Sequence, residues 1–218
     1  MDNLLVAGCS VSDYTYVNKV WGESLAEQLN LNYIHQAAGC GSNWRIWRKI
    51  FESVNLNIIT PHDTIIIQYT STERREFWSP FEISATVTED KGPLSEEYDS
   101  GCIIRYKIDA EQWVNHPQER KLFKQYSRFI NEKFELEQFH MMHSMFQSYM
   151  KDKGFKKIYF LKAGKYGPLK GEQDLIDYYK NNWIAAPNAF KYHLPNDPSH
   201  LNQKGHNELA SLVHKYIN

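Results

Sequence analysis

The sequence predicts an α/β fold: one domain over residues 1–218, built on a central, mostly parallel sheet with helices on both faces. Three observations carry this. Short apolar runs of strand length recur along the chain, the clearest being Asp63-Thr-Ile-Ile-Ile-Gln-Tyr69. Between them lie stretches whose apolar residues return at helical spacing. Strands and helices alternate, an order that pairs strands in parallel through crossovers and leaves helices on each face of the sheet.

Taken in order, Leu4-Leu-Val-Ala-Gly8 is an uncharged run ending in glycine, the pattern of a strand buried on both faces. Val20, Trp21, Leu25 and Leu29 place a helix over about residues 18–30, and Leu31-Asn-Tyr-Ile34 reads as the second strand. A small-residue turn over residues 37–43 follows, then a helix carrying Trp44, Trp47, Ile50, Phe51 and Val54. The third strand, residues 63–69, is β-branched and preceded by Pro61. Residues 78–115 break the rhythm. Pro80, Gly92-Pro93, the acidic pair Glu96-Glu97 and a strand-like run at 102–108 mark an insertion, expected to fold over the site and set substrate choice. From about 117 to 152 the pattern is helical, with Phe129, Phe134, Met141, Met145 and Tyr149 on recurring faces, and Gly154 ends it. Residues 157–161 form a further strand, followed by a turn at 164–168 and a short helix over 172–182. Leu209, Leu212, Val213 and Ile217 define a last helix from Leu201 onward.

Composition narrows the function classes. A formal net charge of -1 and an apolar share of 42% point away from disorder and from a nucleic-acid partner. No apolar run approaches the roughly 20 residues that span a bilayer, so no membrane partner is expected. Three cysteines without a CxxC pair argue against a disulfide framework and for a reducing, cytoplasmic location. Leu5-Val-Ala-Gly-Cys9 looks like a lipoprotein cleavage box, but no basic leader precedes it and the same residues make a good strand.

The chemistry concentrates at the two ends. Asp197 and His200, three residues apart at the mouth of the last helix, can form a base unit in which the carboxylate holds the imidazole in one tautomer. Ser10, presented by a small-residue turn after the first strand, is the matching nucleophile. On these residues alone, Asp197 as a helix cap with His200 on a loop is the better reading. Ser12 and Asp13 suit turn-stabilising roles, Cys9 a buried inert thiol, and His206 a structural one. His140 and His143, one helical turn apart, lack a third metal ligand and read as helix-surface histidines. Ser10, the 39–43 turn and the segment from Thr70 to Arg74 all follow expected strands, which brings them to one end of the sheet.

These blocks, in this order and spread over the whole length, resemble the SGNH (GDSL-type) hydrolase family. Gly8-Cys9-Ser10 stands where that family has Gly-Asp-Ser, with Cys9 replacing the Asp. Asp197-x-x-His200 stands at its C-terminal Asp-x-x-His, followed by Asn202 and Gly205-His206. The resemblance implies a three-layer α/β/α sandwich of flavodoxin-like, SGNH hydrolase type and a Ser10–His200–Asp197 triad cleaving an O-acyl ester through an acyl-enzyme. It implies an oxyanion hole from the Ser10 N–H, a glycine of the second block and an Asn of the third. Gly41 is preferred over Gly39 for the second. The third block departs from the family: Gln68-Tyr69-Thr70-Ser71 replaces Gly-x-Asn-Asp, and Thr70 takes the place of the Asn. Asn43 is either a substitute amide donor or a helix cap. Arg74 could meet an acidic substrate or lie in a solvated segment, and Trp44 and Trp78 could stack on a sugar or pack in the core. The family also includes acyltransferases that use the same triad, and Thr70 leaves open a ligand-binding descendant with a decayed oxyanion hole. No metal or organic cofactor is implied, and the expected partner is a small-molecule or carbohydrate ester.

Overall fold

Leu4, Leu5, Val6 and Ala7 are fully buried because the strand they form, β1 (Asn3–Ala7), is covered on both faces. The computed structural model describes residues 2–38, 41–70, 78–79, 102–103, 132–162, 182–185 and 191–218. Within these, β1 lies in a five-stranded sheet with β2 (Asn32–His35), β3 (Thr64–Gln68), β6 (Ile158–Lys162) and β7 (Trp183–Ala185). The order is β2-β1-β3-β6-β7 and every neighbouring pair is parallel. The chain moves outward from β1 to β2, then crosses back to β3. That reversal is a topological switch point, where sheets of this kind open a crevice at the strands' carboxyl ends.

Strand alternation sorts the core into two layers. Leu4, Val6, Ile66 and Leu161 point to one face, where Trp21 and Leu25 of α1 (Trp21–Leu29) meet Leu209 and Val213 of α4 (Gln203–Ile217). Leu5, Ala7, Ile65, Ile67 and Phe160 point to the other. There Trp47 and Ile50 of α2 (Asn43–Asn55) pack with Phe146 and Met150 of α3 (Glu132–Asp152). Each fully buried Leu, Ile or Phe contributes about 1.5–3 kcal/mol, so the two layers together hold the sheet. The architecture is therefore the expected three-layer α/β/α sandwich.

The elements differ from expectation mostly at their ends. The first helix begins at Trp21 and stops at Asn30, which takes left-handed φ of 54°. The last begins at Gln203, because the Asn202 side chain accepts the Gly205 N–H and so sets the boundary. Besides the two-residue strand at Trp78–Ser79 and two 3-10 turns, two elements among the described residues were not anticipated. One is β7. The other is a hairpin of β8 (His193–Leu194) and β9 (Asp197–Leu201) that replaces the loop expected to carry Asp197 and His200. In the 78–115 insertion, β4 (Trp78–Ser79) pairs antiparallel with β5 (Cys102–Ile103); the rest lies outside the described residues. So do residues 117–131 of the expected long helix, the 164–168 turn and nearly all of the 172–182 helix. Among the described residues no helix is long and apolar enough to cross a membrane.

Candidate active site

Beyond β1 the chain tightens into a 3-10 turn, Ser10–Ser12, so that Ser10 stands at the carboxyl end of the sheet beside the switch point. From the far end of the chain, β9 brings His200 to meet it. The Ser10 Oγ lies 2.7 Å from His200 Nε2, and His200 Nδ1 lies 2.5 Å from Asp197 Oδ2. An ionised carboxylate can only accept, so Nδ1 carries the proton and Nε2 is left to accept the Ser10 hydroxyl. Ser10 is 8% exposed, and the His200 side chain 17%, so the pair is sheltered yet open on one side.

Other predicted site residues are placed differently. The Gly41 N–H donates to the Ala38 carbonyl at 3.0 Å, so the expected oxyanion donor is already engaged in a turn. A side chain at Gly41 would meet the Ala38 and Gly8 carbonyls at 3.2 Å each; its glycine lets the second block lie against the nucleophile turn. Gly39 lies outside the described residues. Asn43 is neither free donor nor cap. Ser42 caps α2, accepting the Arg45 N–H, while the buried Asn43 amide clamps the Thr70 backbone. Its Nδ2 donates to the Thr70 carbonyl at 3.1 Å and its Oδ1 accepts the Thr70 N–H at 2.9 Å. With its backbone held, Thr70 is 1% exposed and its hydroxyl has no hydrogen-bond partner among the described residues. Trp44 packs edge-on against Trp47, in the α2–α3 layer. Arg74 and the Trp78 side chain lie outside the described residues.

The remaining candidates are structural. Trp47 is core, as is His143, which corrects its placement on a helix surface: it is 4% exposed, with Nδ1 2.8 Å from the Tyr69 hydroxyl. His206 Nδ1 accepts the Trp21 N–H at 3.1 Å, and burial lowers the His206 pKa to about 4, keeping the ring neutral. Ser12 is fully buried, its Oγ accepting from Trp21 Nε1 and donating to Gln68. Among the described residues no cluster of three or more His, Cys, Asp or Glu could hold a metal.

Two site residues escaped sequence reasoning. Tyr16, half exposed, sets its ring 4.3 Å from that of His200, tilted by 45°. Its only signal was an aromatic residue shortly after the nucleophile. Gln68 was read only as the residue replacing the glycine of the third block, with no role of its own; it reaches the nucleophile turn from β3.

No family model matches the chain, and no curated protein does. Among solved structures it resembles a lipase/acylhydrolase from Enterococcus faecalis at 10% identity and a TM-score of 0.50, over 100% of this chain and 95% of that one. It also matches a GDSL-like lipase from Bacteroides thetaiotaomicron at 9% identity and a TM-score of 0.48, over 99% of this chain and 87% of that one. With its parallel sheet in flavodoxin-like order and Ser10 at the switch point, the chain has the fold of the SGNH (GDSL-type) hydrolases.

Proposed function

We propose that this chain is a serine ester hydrolase that cleaves an O-acyl ester through an acyl-enzyme on Ser10. The observation that carries the reading is the continuous Ser10–His200–Asp197 hydrogen-bonded line at the sheet's carboxyl end. Ser10 Oγ attacks the ester carbonyl carbon while His200 Nε2 takes its proton, and Asp197 steadies the imidazolium. The tetrahedral intermediate collapses as His200 returns that proton to the departing alkoxide, leaving an ester on Oγ. Water then enters, gives a proton to Nε2 and attacks the acyl carbon; the acid departs and Ser10 recovers its proton.

Charge on the attacked oxygen needs donors already in place. The Ser10 N–H opens the 3-10 turn, where the first N–H groups have no acceptor within the turn. The Thr70 hydroxyl, buried and unpartnered among the described residues, is the second donor. The exposed Tyr16 ring beside the base supports a carbohydrate as the moiety bearing the ester, because a sugar can lie against an aromatic face. The fold shared with a lipase/acylhydrolase agrees with an ester substrate.

A fluorophosphonate ester probe tests nucleophile and activation together. The adduct is expected on Ser10 by peptide mass spectrometry, and Ser10→Ala should reduce turnover of any ester substrate by about 10⁴ or more while the protein stays folded. Label on another residue, or unchanged turnover in the variant, overturns the assignment. Product formation that depends on an added alcohol makes the enzyme a transferase on the same triad. A folded wild type with neither label nor turnover is a binder.

A further inference from the structure

We propose that Gln68, which occupies the third block where the related family has a glycine, is a positioning residue that sets the nucleophile turn in register with His200. The proposal rests on the hydrolase reading above. Gln68 is fully buried at the end of β3, and its Oε1 is approached by three donors from the turn. The Cys9 N–H and Cys9 Sγ lie at 3.3 Å and the Ser12 Oγ at 3.2 Å. Its Nε2 donates to the Tyr69 carbonyl at 2.7 Å. This division fixes the amide's orientation, since a flip would set NH₂ against the Cys9 N–H and the oxygen against the Tyr69 carbonyl. Ser10 lies between the two residues that Gln68 grips.

The grip is part of a longer buried line. Ser12 Oγ also accepts Trp21 Nε1 at 3.0 Å, and the Trp21 N–H donates to His206 Nδ1 at 3.1 Å. His206 sits six residues beyond His200, on the helix that follows its strand. The elements bearing base and nucleophile are thus referenced to each other through Trp21, Ser12 and Gln68, none of which touches the reacting atoms. Gly8 makes the room: a side chain there would come within 3.0 Å of both Gln68 Oε1 and Ser12 Oγ.

Removing the acceptor leaves the Cys9 N–H and the Ser12 hydroxyl proton buried without their acceptor, although Ser12 Oγ still accepts from Trp21, and the turn can satisfy them only by moving. A shift of about 1 Å in Ser10 Oγ costs on the order of 100-fold in rate. Gln68→Met keeps length and volume but loses the acceptor. Its fluorophosphonate labelling at Ser10, measured well below its melting temperature, should be 10- to 100-fold slower than wild type, on the order of that estimate. With an ester substrate kcat should fall while KM stays. Labelling within twofold of wild type, or a loss confined to melting temperature, overturns the proposal. Should Gln68→Met not fold, Ser12→Ala removes one of the three donors: slower labelling supports the assignment and an unchanged rate overturns it. A wild type that takes no label refutes the hydrolase reading instead. Even then, a crystal structure of Gln68→Met with Ser10 Oγ still within hydrogen-bond reach of His200 Nε2 overturns the positioning role, and a displaced turn upholds it.

Discussion

The Thr70 hydroxyl lies buried without a hydrogen-bond partner among the described residues. Such a group costs about 1–3 kcal/mol when left unpaired. Thr70→Val keeps the shape and removes that cost. It should therefore hold or raise the melting temperature while slowing acyl transfer about 100-fold, the loss expected for one oxyanion donor. Calorimetry together with Ser10 labelling rates reads both. A lower melting temperature gives the hydroxyl a structural partner, and unchanged labelling removes it from the oxyanion hole. Asn43→Ala acts differently, since it strands the Thr70 N–H and carbonyl and should destabilise by roughly 2 kcal/mol or more. At this scale the sequence was legible wherever chemistry lies in short spacing, as at Asp197 and His200. It pointed to Asn43 and Gln68 but not to what they bind, because Asn43 holds Thr70 27 residues away and Gln68 reaches the nucleophile turn across 56–59 residues.

Strand β9 and helix α4 carry His200 and His206 on consecutive elements, with His206 the more deeply buried. Burial holds His206 neutral with a pKa lowered to about 4, below the ordinary 6.5 of the unfolded chain. Between these values the unfolded state binds more protons, so this contribution is whole above about pH 6.5 and is lost as pH falls toward 4. The loss amounts to about 3 kcal/mol. His206→Asn, whose side-chain oxygen can still accept the Trp21 N–H, should flatten the melting temperature between pH 6.5 and 4; an unchanged slope moves the effect elsewhere. Asp63 acts in a separate window. Burial raises its pKa, but hydrogen bonds from Thr60 and Asn3 outweigh that and hold it below the ordinary carboxylate value, so its contribution is lost only below about pH 4. The helices were legible from apolar periodicity, and β1 and β3 from uncharged runs. The β8–β9 hairpin was not, because a proline at 198 and polar residues hide a strand whose pairing is with a two-residue partner. Nor was the three-residue β7, too short to show any period.

Over the whole molecule, the proposed triad closes only when the two ends of the chain meet, since Ser10 and His200 are 190 residues apart. What brings them together is the layer in which Leu209 and Val213 of α4 pack with Trp21 and Leu25 of α1 under β1. The alternation that predicted a parallel sheet also predicted this convergence, though not which strands would be neighbours. The layer that seats the base is half of the core, so activity and global stability should fail together. Trp21 and Trp47, buried on opposite faces of the sheet, make tryptophan fluorescence a reporter on both layers. In urea, the loss of Ser10 labelling and of native fluorescence should follow one transition. Leu209→Ala, at a fully buried position, should cost about 2–5 kcal/mol and move both midpoints by the same amount, roughly 1 M or more. Labelling that disappears well before fluorescence changes would mean that the hairpin and α4 detach as a unit while the sheet persists. In that case the triad would be gated by local opening and not by the fold as a whole.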